Sequence, residues 1–252
     1  MRILLFITII NFSCFQIFRA QESMETISQD LLLSVRYEEP YEPLERQLQA
    51  VSLDELTQSL TTENSKKAFW LNIYNAYIQI KAKQNPALLA RKRNHFFGKK
   101  WNTIAGIRLS FDDIEHGILR HSQWKLGKGY ITRWFPGKIE KQLRLDSVDY
   151  RIHFALNCGA KSCPPIAYYH SDKIHQQLDE ATIGYLKSTS IIDTTEKTVT
   201  VSKLFSWFSG DFGGKKGVYK ILLSKGIIPH ETTFKILYAD YDWTVDLKNY
   251  VK

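Results

Sequence analysis

Between Asn64 and Gln84 apolar positions recur at helical spacing on two adjoining stripes. Phe69, Ile73, Ala76 and Ile80 form one, and Trp70, Tyr74, Tyr77 and Lys81 form the other. The pattern predicts a helix buried around most of its circumference. Its remaining face carries Asn72 and Asn75, three residues apart and therefore adjacent on the helix surface. Buried amides need partners. One reading ties this helix to loop backbone, the commoner fate of such amides; the other has them line a cleft and position a substrate or an imidazole.

Upstream, Glu42 to Thr62 alternates at helical spacing, and Ser52-Leu53-Asp54-Glu55 has the form of a helix start, so two short helices are expected there. Downstream, Ile104 to Leu109, interrupted by Ala105-Gly106, reads as a short strand or hairpin arm. Ser110 with Asp113 three residues on is a capping-box variant that opens a helix from Phe111 to Arg120, with Glu115 and His116 inside it. Tyr150 to Leu156 reads as a strand by composition, and Ser171 to Lys187 as an amphipathic helix with Asp172 near its cap. Thr198 to Val201 and Phe234 to Tyr238 complete the strands. Asp240-Tyr241-Asp242-Trp243 alternates as a last strand would, with its aromatics packed inward. Helices that precede and interrupt a small sheet predict an α+β fold, with a helical N-terminal part against a mainly antiparallel sheet.

The N-terminus changes the picture of where the protein works. Arg2 followed by the apolar stretch Ile3 to Phe12 is too short to span a bilayer but suits a secretory signal, cleaved near Ala20. Export, to the periplasm or beyond the cell, is therefore expected. Asn11-Phe12-Ser13-Cys14 offers a second route, a lipoprotein-like processing site at Cys14 that Asn11 and Phe12 fit less well. The chain then divides into a signal over 1–20, a helical extension over 21–62 and a main domain over 63–249, with no later segment apolar enough to cross a membrane.

The chain carries 34 Lys and Arg against 26 Asp and Glu, a net charge of +8, and losing Arg2 and Arg19 lowers this by two. The excess is dispersed except in runs such as Arg91-Lys92-Arg93, which read as solvated faces, not a nucleic-acid track. Export also argues against a nucleic-acid partner. A peptide or an envelope polymer is the partner that the compartment suggests.

Candidate chemistry gathers in Asp149 to Pro165, which holds both cysteines beyond Cys14, together with His153, Asn157, Gly159, Lys161, Ser162 and Pro164. Several separated segments together resemble the DUF547 family. They are Ala68-Phe69-Trp70-Leu71-Asn72-Ile73-Tyr74-Asn75-Ala76, Ser110 through Ile114-Glu115-His116-Gly117-Ile118-Leu119-Arg120, His153 to Pro165, and Asp240-Tyr241-Asp242-Trp243. The resemblance covers roughly Glu63 to Asn249 and implies little about activity, because the family takes its name from lacking an assigned one.

The residues themselves permit three kinds of function. A thiol-dependent hydrolase or acyltransferase acting on amide or ester bonds would use Cys158 as nucleophile. Gly159 would permit close approach, while Lys161 and the turn amides would favour a thiolate and then an oxyanion. Cys163, capping a short helix opened by Pro164, is the other possible nucleophile. His153 or His116 would be base and acid, Asp242 could orient either ring, and Asn157 or Asn75 could hold the oxyanion, with Asn72, Glu115 and Ser162 contacting substrate. On a regular strand His153 and Cys158 point to opposite faces, so a direct pair needs a bend. Alternatively, Cys158 and Cys163 form a disulfide that stiffens the ligand loop of a non-catalytic envelope binding module. A thiol-redox role ranks third, the spacing differing from Cys-x-x-Cys. The Cys-x4-Cys pair lacks a second ligand motif, so no metal is expected, and no cofactor. Ser206 to Gly214, rich in glycine and aromatics, reads as a lid or groove wall.

Overall fold

The computed structural model describes residues 23–251, so the expected signal and Cys14 lie outside the described residues. Helix α1 (Met24–Tyr37) is capped by Ser23, whose hydroxyl accepts from Thr26 N–H. Helices α2 (Glu42–Ala50) and α3 (Leu53–Ser59) occupy the segment where two short helices were expected. Ser52 and Glu55 close a reciprocal capping box on α3. The 22-residue α4 (Glu63–Gln84) starts from a second reciprocal pair, Thr62 with Ser65.

Every residue of α4 from Lys67 to Ile80 is buried, as its two apolar stripes require. Ile27, Leu31 and Leu32 of α1 belong to the same core as Trp70, Leu71 and Ile78 of α4, so the N-terminal helices complete the core instead of standing apart from it. Burial of this kind contributes about 25 cal/mol per Å² of apolar surface, which outweighs any helix propensity.

Helices α5 (Pro86–Arg91) and α6 (Arg93–Gly98) follow, then the antiparallel pair β1 (Asn102–Ile104) and β2 (Ile107–Leu109), turned at Ala105-Gly106. Ser110 and Asp113 cap each other as expected, at 2.9 and 3.0 Å. The helix they open is wound wide, a π-helix over Asp113–Leu119. Such widened turns are frequent at functional sites. Beyond α7 (Lys138–Leu143) and a 3-10 helix at Tyr150–Phe154 comes α8 (Ile174–Thr189). The chain continues through β3 (Ile191–Asp193), β4 (Thr198–Val201), α9 (Leu204–Trp207), α10 (Gly214–Ser224) and β5 (Lys235–Tyr238). Strand β3 pairs antiparallel with β4, and β4 parallel with β5. A second core forms over this sheet from Phe154, Tyr185, Val199, Val201, Phe205, Phe212 and Leu222. The fold is α+β.

Three local expectations are corrected. Tyr150 to Leu156 is no strand. Asp149 accepts from Arg151 N–H and Ala155 N–H returns to Ile152 O, winding the segment tightly. It also joins the two cores, sending Ile152 into one and Phe154 into the other, which a one-faced strand could not do. Asp240 to Trp243 is likewise not a strand, because Asp242 turns its carboxylate onto Thr244 N–H at 2.9 Å and takes the backbone out of ladder geometry. Nor does Pro164 open a helix. Past it, Ile166 exchanges backbone bonds with Asn249 and Val251, holding this stretch extended.

Candidate functional site

One large pocket, about 870 Å³, lies where the two cores meet. Its lining includes Tyr74 of α4, Asp112 just before the widened helix, Glu115 and His116 within it, His153, Leu156, Cys158, and Trp207 and Phe208 after β4. Tyr241 and Trp243 form one wall with Trp207, their rings 4.7 to 5.5 Å apart. Arg91, Lys92, Arg93, Lys125 and Lys128 also line it, and the Arg93 guanidinium lies 4.3 Å over the Trp243 ring. The basic run at Arg91 to Arg93 thus belongs to a pocket and is more than a solvated face.

Behind this wall sits a buried charge network. Arg120, fully buried, donates from Nε to Asp211 Oδ2 at 2.6 Å and from Nη2 to Oδ1 at 3.2 Å. His153 Nε2 meets Asp211 Oδ2 at 2.7 Å, while its ring stacks on Phe208 at 4.0 Å. Arg120 Nη1 lies 2.8 Å from His116 Nδ1. A guanidinium only donates, so Nδ1 must accept and the neutral ring carries its proton on Nε2. That Nε2 is 3.6 Å from Asp112 Oδ1, outside hydrogen-bond range, and Asp112 is already taken by Lys125 at 2.8 Å. His116 is 4% exposed, and among the described residues no group accepts from its Nε2.

Burial and then the neighbouring Arg120 charge push the His116 imidazole down to about 3, so it is neutral at ordinary pH. His153 is also held below its usual value by burial, against the raising pull of Asp211. Asp211 stays below the usual carboxylate range because His153 and Arg120 hydrogen-bond it, overcoming its desolvation. Glu115 accepts from the Tyr74 hydroxyl at 3.1 Å, and burial followed by that carboxylate raises the phenol well above its ordinary value.

Cys158 and Cys163 form a disulfide. Cys158 is half-buried and faces the pocket, while Cys163 lies behind it at 3% exposure. Gly159, at φ +80°, makes the turn between them, and a Cβ there would press on Leu89 at 3.1 Å. The turn amides do face sulfur, but it is the sulfur of Cys163: Cys158 N–H donates to it at 3.0 Å and Ala160 N–H at 3.4 Å. The Tyr241 hydroxyl donates to it at 3.2 Å and lies 3.6 Å from Cys158 Sγ. Neither sulfur has a histidine among its hydrogen-bond partners in the described residues.

Of the candidate residues, Cys158, His153, His116 and Glu115 share the pocket. The asparagines sit behind it. Asn72 exchanges two bonds with the Tyr169 backbone, both 2.9 Å. Asn75 binds Ala155 O at 3.0 Å and Asn157 N–H at 2.9 Å. Asn157 in turn holds Gly159 N–H and Pro164 O and is fully buried outside the pocket lining. Ser162 and Asp242 bond each other's backbone on the outer side of the loop, where Lys161 is 3.6 Å from Asp242 and exposed. Asp242 orients neither histidine; Asp211 orients His153, and Arg120 orients His116.

Asp211 and Arg120, which hold the two pocket histidines, are the residues that sequence reasoning passed over. The available signal was the glycines around Asp211. Gly210 N–H donates to Lys128 O at 2.7 Å, and a Cβ on Gly210 would overlap the Gly129 backbone, so glycine lets this loop dock closely enough to bury the carboxylate. Among the described residues no cluster of His, Cys, Asp and Glu could hold a metal ion.

No curated protein and no solved structure matches the chain. A family model matches residues 57–186, from α3 through most of α8, and so includes α4, the widened helix and the cystine loop but not Asp211, Trp207, Tyr241 or Trp243. With more than half of its length matched, the chain belongs to the family described as protein of unknown function, DUF547.

Proposed function

We propose that this domain is an exported binding module whose pocket takes a segment of peptide or envelope polymer carrying an apolar or planar group and an acceptor oxygen. The observation that carries the reading is His116 Nε2–H, a neutral donor at the pocket wall with no acceptor among the described residues. A ligand oxygen seated in the pocket could accept from it, and a hydrogen bond of this kind contributes about 0.5–1.5 kcal/mol net. The Trp207, Tyr241 and Trp243 rings offer a stacking surface, and Arg91 to Arg93 favour a carboxylate. A disulfide beside the pocket supports an oxidising compartment, and hence export.

The test is a titration of the oxidised protein with N-acylated tripeptides and soluble envelope-polymer fragments, followed by tryptophan fluorescence. A saturable change that is lost in His116→Leu, with circular dichroism unaltered, is expected. A flat response across the panel overturns the reading.

A thiol-dependent hydrolase or acyltransferase is the second reading, favoured by the presence of Cys158, His116 and His153 on one pocket. It requires the disulfide to be opened first, since a sulfur bonded to sulfur is no nucleophile. His116, protonated on Nε2, would then serve as a donor to the acyl oxygen, leaving His153 or Glu115 as base. Turnover of amide or ester probes by reduced protein only, abolished by Cys158→Ser, would select this reading over simple binding.

A further inference from the structure

The two sulfurs of the disulfide are in unequal surroundings. Cys158 lines the pocket, whereas Cys163 is buried and absent from its lining. Three donors converge on Cys163 Sγ: Cys158 N–H, Ala160 N–H and the Tyr241 hydroxyl. A disulfide sulfur is a weak acceptor and has little use for three donors. A thiolate in the same place would use all of them. Burial keeps the Tyr241 phenol well above its ordinary value, so it remains a donor when negative charge arrives.

We propose that this disulfide undergoes exchange with an anionic thiol seated in the pocket, Cys158 being the sulfur attacked and Cys163 the leaving group. The incoming thiol loses its proton to solvent, and its thiolate forms a bond to Cys158 Sγ. The Cys158–Cys163 bond breaks, and its electron pair departs on Cys163 Sγ, where the three donors hold it. A second thiolate then attacks the ligand sulfur of the mixed disulfide and releases Cys158 as thiolate. Two thiols are thereby oxidised to one disulfide and the protein pair is reduced to two thiols, so electrons balance. The preference for an anionic thiol rests on the pocket reading above, through the rim cations Arg91, Lys92, Arg93 and Lys128, Lys125 being paired with Asp112.

The oxidised protein is exposed anaerobically to glutathione and, separately, to the cationic thiol cysteamine at equal thiolate concentration. Adducts are followed by intact mass and located by non-reducing peptide mapping. The expected adduct is on Cys158, forming roughly ten-fold faster with glutathione, a preference that falls as salt is added. Tyr241→Phe, which keeps the ring in its aromatic cluster, should slow adduct formation at least about five-fold, the loss of one hydrogen bond to a developing charge. An adduct on Cys163, no adduct with either thiol, or an unchanged rate in Tyr241→Phe overturns the assignment of attacked and leaving sulfurs. Equal rates for the two thiols, with the adduct still on Cys158, overturn the anionic preference alone and count against the pocket reading. If Cys163→Ser folds, its Cys158 thiol should react with oxidised glutathione, with cystamine and with a maleimide from the pocket side. Protection of that thiol from every reagent would also overturn the proposal.

Discussion

Asp211 holds two cationic or polar partners at once, Arg120 and His153, in a place where both charged side chains are inaccessible to water. Removing one partner of such a pair strands the other's charge. Asp211→Asn should therefore destabilise the protein by about 3–5 kcal/mol, checked by urea unfolding. The histidine beside this network gives a pH dependence whose sign is fixed. His116 falls from 6.5 to about 3 on folding, so between these values the unfolded chain binds the proton and the folded one does not. Stability is complete above the unfolded value and is lost as pH falls through this window. Asp211, also lowered, adds a further loss below its ordinary 3.8, because its stabilisation needs the ionised carboxylate. The urea midpoint should decline steadily from about pH 6 toward pH 3, and His116→Gln should flatten the upper part of that decline. A midpoint independent of pH in this range would count against a buried neutral imidazole.

At the scale of elements, α4 is the support on which the site is mounted. Its amide face was legible as a pair of adjacent asparagines, and of the two roles open to them the structure assigns the one with loop backbone. Asn75 ties α4 to both ends of the turn that leads into Cys158, through Ala155 O and Asn157 N–H. Asn75→Leu should cost about 1–3 kcal/mol, measured by chemical denaturation, with the loss appearing as stability and not as ligand affinity at temperatures where the variant is folded. Equal stability with lost binding would reverse that assignment. The strand expected over Tyr150 to Leu156 failed for a reason visible only in three dimensions. Apolar content marks burial, but this segment is buried by two cores on different sides, and Asp149, paired with Lys67 at 2.8 Å, winds it into a turn. The capping residues, by contrast, act over three positions and could be read directly at Ser52 and Ser110.

At the scale of the whole molecule, the N-terminal helices and the C-terminal segment close the structure around the matched family region. Leu31 and Leu32 of α1 are fully buried in the core that α4 organises. A chain beginning at Glu63 should therefore expose that core, bind a hydrophobic dye and lose its near-ultraviolet circular dichroism, whereas a chain beginning at Ser23 should keep a cooperative transition. A cooperative transition in the shorter chain would show that α1 is dispensable. From the other end, Tyr241 and Trp243 return to the pocket opposite Arg93 and bring a hydroxyl against the disulfide.

What the amino-acid sequence determined by itself is what acts at short range. Hydrophobic period marked α2, α3, α4 and α8, short-range side-chain pairing marked the starts at Ser52 and Ser110, the Ala105-Gly106 turn marked the hairpin, and the spacing of Cys158 and Cys163 allowed a disulfide across a glycine turn. The tertiary structure alone decided which charges meet. Asp211 stands 91 positions from Arg120 and 58 from His153. No local pattern carries that information, because a buried ion pair is selected by the packing that removes water from it, not by the residues on either side of it in the chain. The tautomer of His116 follows from the same packing. So does the inequality of the two sulfurs, since the Tyr241 hydroxyl reaches them from 78 residues beyond Cys163.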